Sequence, residues 1–153
     1  MGRVMGTRHD EGGAVATDTD LGPRVRAVLR FPRDATAVTS ARRFVAAVLS
    51  ALRVDPHIVD DVVVSVSEAG ANAVQHASGT GGFEIRVEVD DRACRIAVSS
   101  PGGFDVTAIP EAMPVPTSAR GRGLPIMRAS MDEVVVRSAP GRGTTVELVK
   151  RLR

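Results

Sequence analysis

The 153-residue chain has no tryptophan and no tyrosine, and only four phenylalanines. The flat aromatic platforms on which single-stranded nucleic acids stack are therefore missing. Its one cysteine, Cys94, has no mate for an internal disulfide. Cys94 sits in an alternating apolar run, which marks a small buried residue and not a catalytic thiol. Nothing approaches the roughly 18 consecutive apolar residues of a membrane span. The opening MGRVMGTRHDEGG offers no apolar stretch for a signal peptide. Gly6 stands where a myristoylation signal wants Ser or Thr. A cytoplasmic location is expected, with no membrane partner. An excess of one charge is also lacking, since 20 basic residues face 18 acidic ones. That balance argues against direct nucleic-acid binding. Among the basic residues only Lys150 is a lysine.

With 43% hydrophobic and 25% charged residues, the length suits one hydrophobic core. Residues 1–22 are rich in Gly, Thr and Asp without an apolar period, so a flexible tail is expected there and a single domain over 23–153. Val25, Ala27, Leu29 and Phe31 alternate with polar residues, the period of a half-buried strand that Pro32 ends. Val38, Ala41, Phe44, Val45, Val48, Leu49 and Leu52 recur at three- and four-residue steps and predict an amphipathic helix capped by Asp34 or Thr36. Asp55-Pro56 announces a second helix, continuing to Ala77. The valine run 62–64 would suit a strand, but the helical spacing persists beyond ordinary strand length.

Phe83, Ile85, Val87 and Val89 alternate, and after a turn at Asp90-Asp91 a mate follows with Cys94, Ile96 and Val98 inward, which predicts a β-hairpin. Residues 99–122 read as a long loop. A short helix follows, then strands over 133–137 and 144–150 joined across Pro140-Gly141-Arg142-Gly143. The predicted order is β-α-α-β-β-loop-α-β-β. The implied class is α/β, a two-layer sandwich with a mainly antiparallel mixed sheet and helices on one face.

In VSVSEAGANAVQHA, Glu68 and Asn72 are one turn apart on one helix face. A carboxylate able to deprotonate a hydroxyl, beside an amide oxygen able to ligate Mg²⁺, suits phosphoryl transfer from a nucleotide. A solvated polar helix face has the same pattern, so the context decides. Gly121-Arg122-Gly123, flanked by Arg120, opens into a helix whose first N–H groups are suited to phosphate. Gly143-Thr144 enters the last strand where glycine permits close backbone approach. Each of these alone is an ordinary turn. His76, with no Cys or acidic cluster beside it, has no assigned role.

Taken in order, SEAGANAVQHA resembles the N-box of GHKL (histidine kinase-like) ATPases, GRGLPIMRASMDEV their second glycine box, and PGRGTTVELVKRL their terminal Gly-Thr motif. The MDEV and VELVKRL endings narrow the resemblance to anti-sigma factor serine/threonine kinases, over residues 24–153. The resemblance implies ATP and Mg as ligands, a sigma factor and an antagonist protein phosphorylated on serine as partners, and a homodimer. It implies Glu68 as general base, Asn72 as Mg²⁺ ligand, and Gly121, Gly123 and Thr144 lining the phosphates or their lid, with Arg120 and Arg122 flanking the site. Family members carry Asp, then Gly-x-Gly, after the hairpin, the Asp receiving the adenine amino group. Here the segment is VSSPGGFDV. Counting back from Phe104 puts Gly103 at the second glycine, Pro101 at the first and Ser99 at the aspartate. A nucleotide-independent binding module on the same fold is the alternative reading, and the altered box is what separates the two. A histidine-kinase lobe is disfavoured because residues 1–24 hold no dimerisation helices or phosphoacceptor region.

Overall fold

The computed structural model describes residues 24–76, 81–101, 121–139 and 141–153. The expected tail over 1–22 and most of the expected loop, including Gly103 and Arg120, lie outside them. The described chain runs β1 (Val25–Phe31), α1 (Ala35–Ala51), α2 (Pro56–His76), β2 (Phe83–Val89), β3 (Ala93–Ser100), α3 (Gly123–Ser130), β4 (Glu133–Ala139) and β5 (Gly143–Arg151). Every predicted element is present.

Local chemistry sets the helix ends. Asp34, in extended backbone, caps α1: its Oδ1 accepts from Ala37 N at 2.8 Å and from Thr36 Oγ1 at 2.6 Å. At the other end Arg53 takes φ 58°, with Arg53 N donating to Ser50 O and Val54 N to Leu49 O, both at 3.0 Å. This paired Schellman closure stops α1 and turns the chain toward α2. Asp55 Oδ1 then accepts from His57 N at 2.8 Å, and Pro56 occupies the first helical position, where an N–H is not needed. The valines at 62–64 are helical because Val59, Val62, Val66, Ala69 and Ala73 form one buried stripe.

The five strands lie in the order β1-β2-β3-β5-β4, and every neighbouring pair is antiparallel. The sheet, expected to be mainly antiparallel, is wholly so among the described residues. The β4–β5 hairpin folds back so that β5 adds to β3 and leaves β4 at the edge. Both strands reach further toward this turn than predicted, as Ala139 pairs with Gly143. The turn needs its glycines: Gly141 has φ 71° and Gly143 φ 82°. A Cβ on Gly143 would also lie 2.4 Å from Ser100 O across the sheet.

Alternation sorts the two sheet faces. Ile85, Val87, Ile96, Val98 and Leu148 face the helices and are buried with Val45, Leu49, Val62 and Met127. Each fully buried aliphatic side chain contributes about 1.5–3 kcal/mol relative to exposure. Cys94 belongs to this core, and burial pushes its thiol pKa up to about 12, so it is no nucleophile near neutral pH. The opposite face carries cross-strand ion pairs such as Arg26–Glu88 and Arg137–Glu147. Helix α1 packs on α2 closely enough that a Cβ on Gly70 would sit 3.3 Å from Val38 Cγ1. No helix among the described residues is long and apolar enough to cross a membrane.

Candidate functional site

Helix α2 carries Glu68 and Asn72 on successive turns, and both are half-buried. What faces them is the N-terminus of α3. A Cβ built on Gly123 would lie 3.2 Å from Glu68 Oε2, 3.3 Å from Asn72 Nδ2 and 3.6 Å from Asn72 Oδ1. The helix start therefore comes within contact of both side chains only because position 123 has no side chain. Gly121, with φ 77°, makes the left-handed entry that aims the chain into α3. Arg122, at the cap position, makes no side-chain capping bond, in contrast to Asp34 on α1. Pro125 has no N–H and Ile126 N donates to Arg122 O at 3.0 Å, so the first-turn N–H groups not used inside α3 are those of Gly123 and Leu124, at the positive end of the helix. Here the structure brings together three of the expected site residues, Glu68, Asn72 and Gly123, with Gly121 two residues before the contact. Arg122 stands among them.

Two contacts fix where this cluster sits over the sheet. Arg33, just past β1, donates Nε to Val74 O at 2.9 Å and so holds the last turns of α2 to the end of β1. At that end Phe31 pairs with Phe83, their rings stacked at 5.3 Å. The same end of the sheet, on its helix-facing side, presents a row of hydroxyls. Thr144 is buried, lies opposite Ser100 in register, and its Oγ1 is 2.7 Å from Ser138 Oγ. Ser100, Thr144 and Ser138 together make a polar edge in an otherwise apolar inner face.

Ser99 does not belong to that row. Its side chain points to the outer face, where Ser99 Oγ lies 3.0 Å from Thr145 Oγ1. The inner-face position at this end of β3 is its neighbour, Ser100. The reason is strand alternation: with Ile96 and Val98 inward, the next inward residue is Ser100. His76 lies exposed at the end of α2, away from any acidic cluster among the described residues.

The donor set suits a metal nucleotide. A carboxylate and an amide stand against the N-terminus of α3, within contact of the backbone at Gly123. Residues 31–150 match the family described as histidine kinase-like ATPase domain, and the chain belongs to that family. Its relatives there are regulators of sigma factors. It is 38% identical over 122 residues to the anti-sigma F factor of Pasteuria penetrans, covering 74% of this chain and 81% of that protein. It is 35% identical over 108 residues to the serine-protein kinase RsbW of Bacillus pumilus, covering 61% and 65%. The crystal structure of the RsbU and RsbW domains of Rv1364c from Mycobacterium tuberculosis has the same fold, with a TM-score of 0.67 at 22% identity. That match spans 85% of this chain and 33% of the longer polypeptide.

Proposed function

We propose that this chain is a cytoplasmic anti-sigma factor and serine kinase that works by partner switching, binding a sigma factor and phosphorylating an antagonist protein from Mg-ATP. The observation that supports the reading is the approach of Gly123 to Glu68 and Asn72, which brings a carboxylate, an amide and a helix N-terminus together. The names of the curated relatives support the two partners. A second copy of the chain is a further proposed partner.

Each residue then has a distinct task. Glu68 accepts the proton of the antagonist serine as its Oγ bonds to the γ-phosphorus and the β,γ-bridging P–O bond breaks, with ADP leaving. Asn72 is the protein ligand for Mg²⁺, whose chemistry is to neutralise phosphate charge. Gly121 and Gly123 let the α3 N–H groups approach the transferring phosphoryl group, where they stabilise its charge. Arg120, Arg122 and Gly103 are assigned to the phosphates and their loop. Ser100 and Thr144 meet the adenine edge, Ser100 accepting from the amino group where relatives carry a carboxylate.

That substitution also supports a second reading, a nucleotide-independent binding module. One experiment decides between them. Tagged chain is used to capture its partners from native lysate, and the captured antagonist is incubated with γ-labelled ATP and Mg²⁺, alongside the Glu68→Gln variant. Label on a serine with the native chain and none with Glu68→Gln, while sigma factor capture persists, is the expected result. Full transfer by Glu68→Gln overturns the assignment of the base. No transfer and no Mg-ATP shift of the melting temperature by the native chain selects the binding module.

A further inference from the structure

Lys150 is the sole lysine of a chain that otherwise uses arginine. It projects from the inner face of β5, largely buried, with 17% of its side chain exposed. Its Nζ donates to Asp61 Oδ2 of α2 at 2.8 Å and to Ser130 O, the last residue of α3, at 2.6 Å. One ammonium thus joins three elements. A compact group with three rotatable donors can converge on acceptors in two different helices, where a planar guanidinium fork favours acceptors in one plane. The Ser130 carbonyl is at the negative end of α3, so the cation also sits where the helix dipole favours it. Asp132 reinforces the joint: its N donates to Val149 O at 2.9 Å and its Oδ2 accepts from Arg151 N at 2.6 Å.

The two ends of α3 are therefore both referred to α2. At the C-terminal end the reference point is Asp61, through Lys150. At the N-terminal end Gly123 lies against Glu68 and Asn72. Asp61 and Glu68 are two turns apart on one helix, about 10 Å at the helical rise, and α3 spans about 12 Å. A rigid helix of that length transmits a shift at one end to the other.

We propose that Lys150 is a positioning residue. By anchoring the C-terminal end of α3 to Asp61, it sets where the glycine-rich end meets the proposed base and metal ligand. The catalytic consequence rests on the phosphotransfer reading above, whereas the geometric consequence does not.

The test uses Lys150→Met, which keeps the apolar stem and loses the ammonium, and Asp61→Asn, which leaves the Ser130 bond in place. Amide spectra of ¹⁵N-labelled full chain are recorded with kinetics of serine phosphorylation at varied ATP. In Lys150→Met the Gly123 backbone amide and Asn72 side-chain amide resonances are expected to move. The kcat should fall about tenfold, with KM for ATP changed less than threefold, as expected when reacting groups are misplaced while binding contacts persist. Asp61→Asn should shift the same resonances in the same direction by a smaller amount, and it decides the case if Lys150→Met does not fold. A lower melting temperature with unmoved Gly123 and Asn72 resonances and unchanged kcat overturns the proposal. If the native chain transfers no phosphate, the kinase reading falls alone. The resonances of the two variants then still decide whether the tether sets the end of α3.

Discussion

Gly123 and Glu68, remote in sequence, meet so closely that a Cβ on the glycine would lie 3.2 Å from Glu68 Oε2. No positive φ requires glycine at 123, unlike Gly121, so the need for it lies in the space and not in the backbone. Gly123→Ala should therefore fold as well as the native chain or slightly better, because alanine is the stronger helix former by about 1 kcal/mol. It should nevertheless reduce phosphate transfer roughly tenfold, as Glu68 and Asn72 are pushed from their positions. Urea unfolding and a transfer assay, run together, check this dissociation. Equal activity would mean that the contact has no part in the chemistry.

The proposal that Ser100, and not Ser99, meets the adenine is testable. Ser100→Asp restores a charged acceptor on the inner face opposite Thr144, and such a hydrogen bond is worth about 1.5–3 kcal/mol, or roughly 10- to 150-fold in ATP affinity. Ser99→Asp should leave affinity unchanged, since the side chain points outward. It should cost a few tenths of a kcal/mol in stability, on the order of a like-charge cross-strand pair, because it faces Glu84. Calorimetric titration with Mg-ATP separates the two. Tighter binding by Ser99→Asp alone would reverse the register.

Ser65 Oγ is fully buried in α2 and has no hydrogen-bond partner among the described residues. A desolvated hydroxyl that gains nothing in return is destabilising, so Ser65→Ala should raise unfolding stability by about 1 kcal/mol. The urea midpoint should rise with an unchanged slope. A loss of stability would indicate that the hydroxyl fills space the core cannot surrender.

Asp90 closes the β2–β3 turn. Its Oδ1 accepts from Arg92 N at 2.7 Å and Ala93 N at 2.8 Å, and its Oδ2 from Arg95 Nη1 at 2.6 Å. The bond from Arg95 above all, with the two turn amides, holds the carboxyl pKa down to about 2 from 3.8, against a smaller opposing effect of burial. A depressed acid contributes stability above its unfolded pKa and loses it as pH falls through the folded value. Because Arg95 is half exposed, the contribution is discounted to less than about 1 kcal/mol. The stability difference between the native chain and Asp90→Asn should thus be full above about pH 4 and gone near pH 2. Urea melts at pH 7, 4, 3 and 2 measure it, and a difference independent of pH would place the effect in turn geometry alone.

Element type was legible because it is local. The alternation of Val25 to Phe31, the stripe from Ile58 to Ala73 and the caps at Asp34 and Asp55 depend on neighbours within a few residues, which a linear sequence displays directly. The pairing of Glu68 with Asn72 was legible for the same reason, being one helical turn. The inward setting of Ser100 is likewise written in the period of Ile96 and Val98. Tertiary structure alone decided the rest. That Gly123 closes on Glu68, that Thr144 stands between Ser100 and Ser138, and that Lys150 spans Asp61 and Ser130 all follow from how α3 lies along α2 and how β5 inserts between β3 and β4. Those placements are set by burial of the whole inner face at once. No local period encodes a distance between segments that only the shared core brings together.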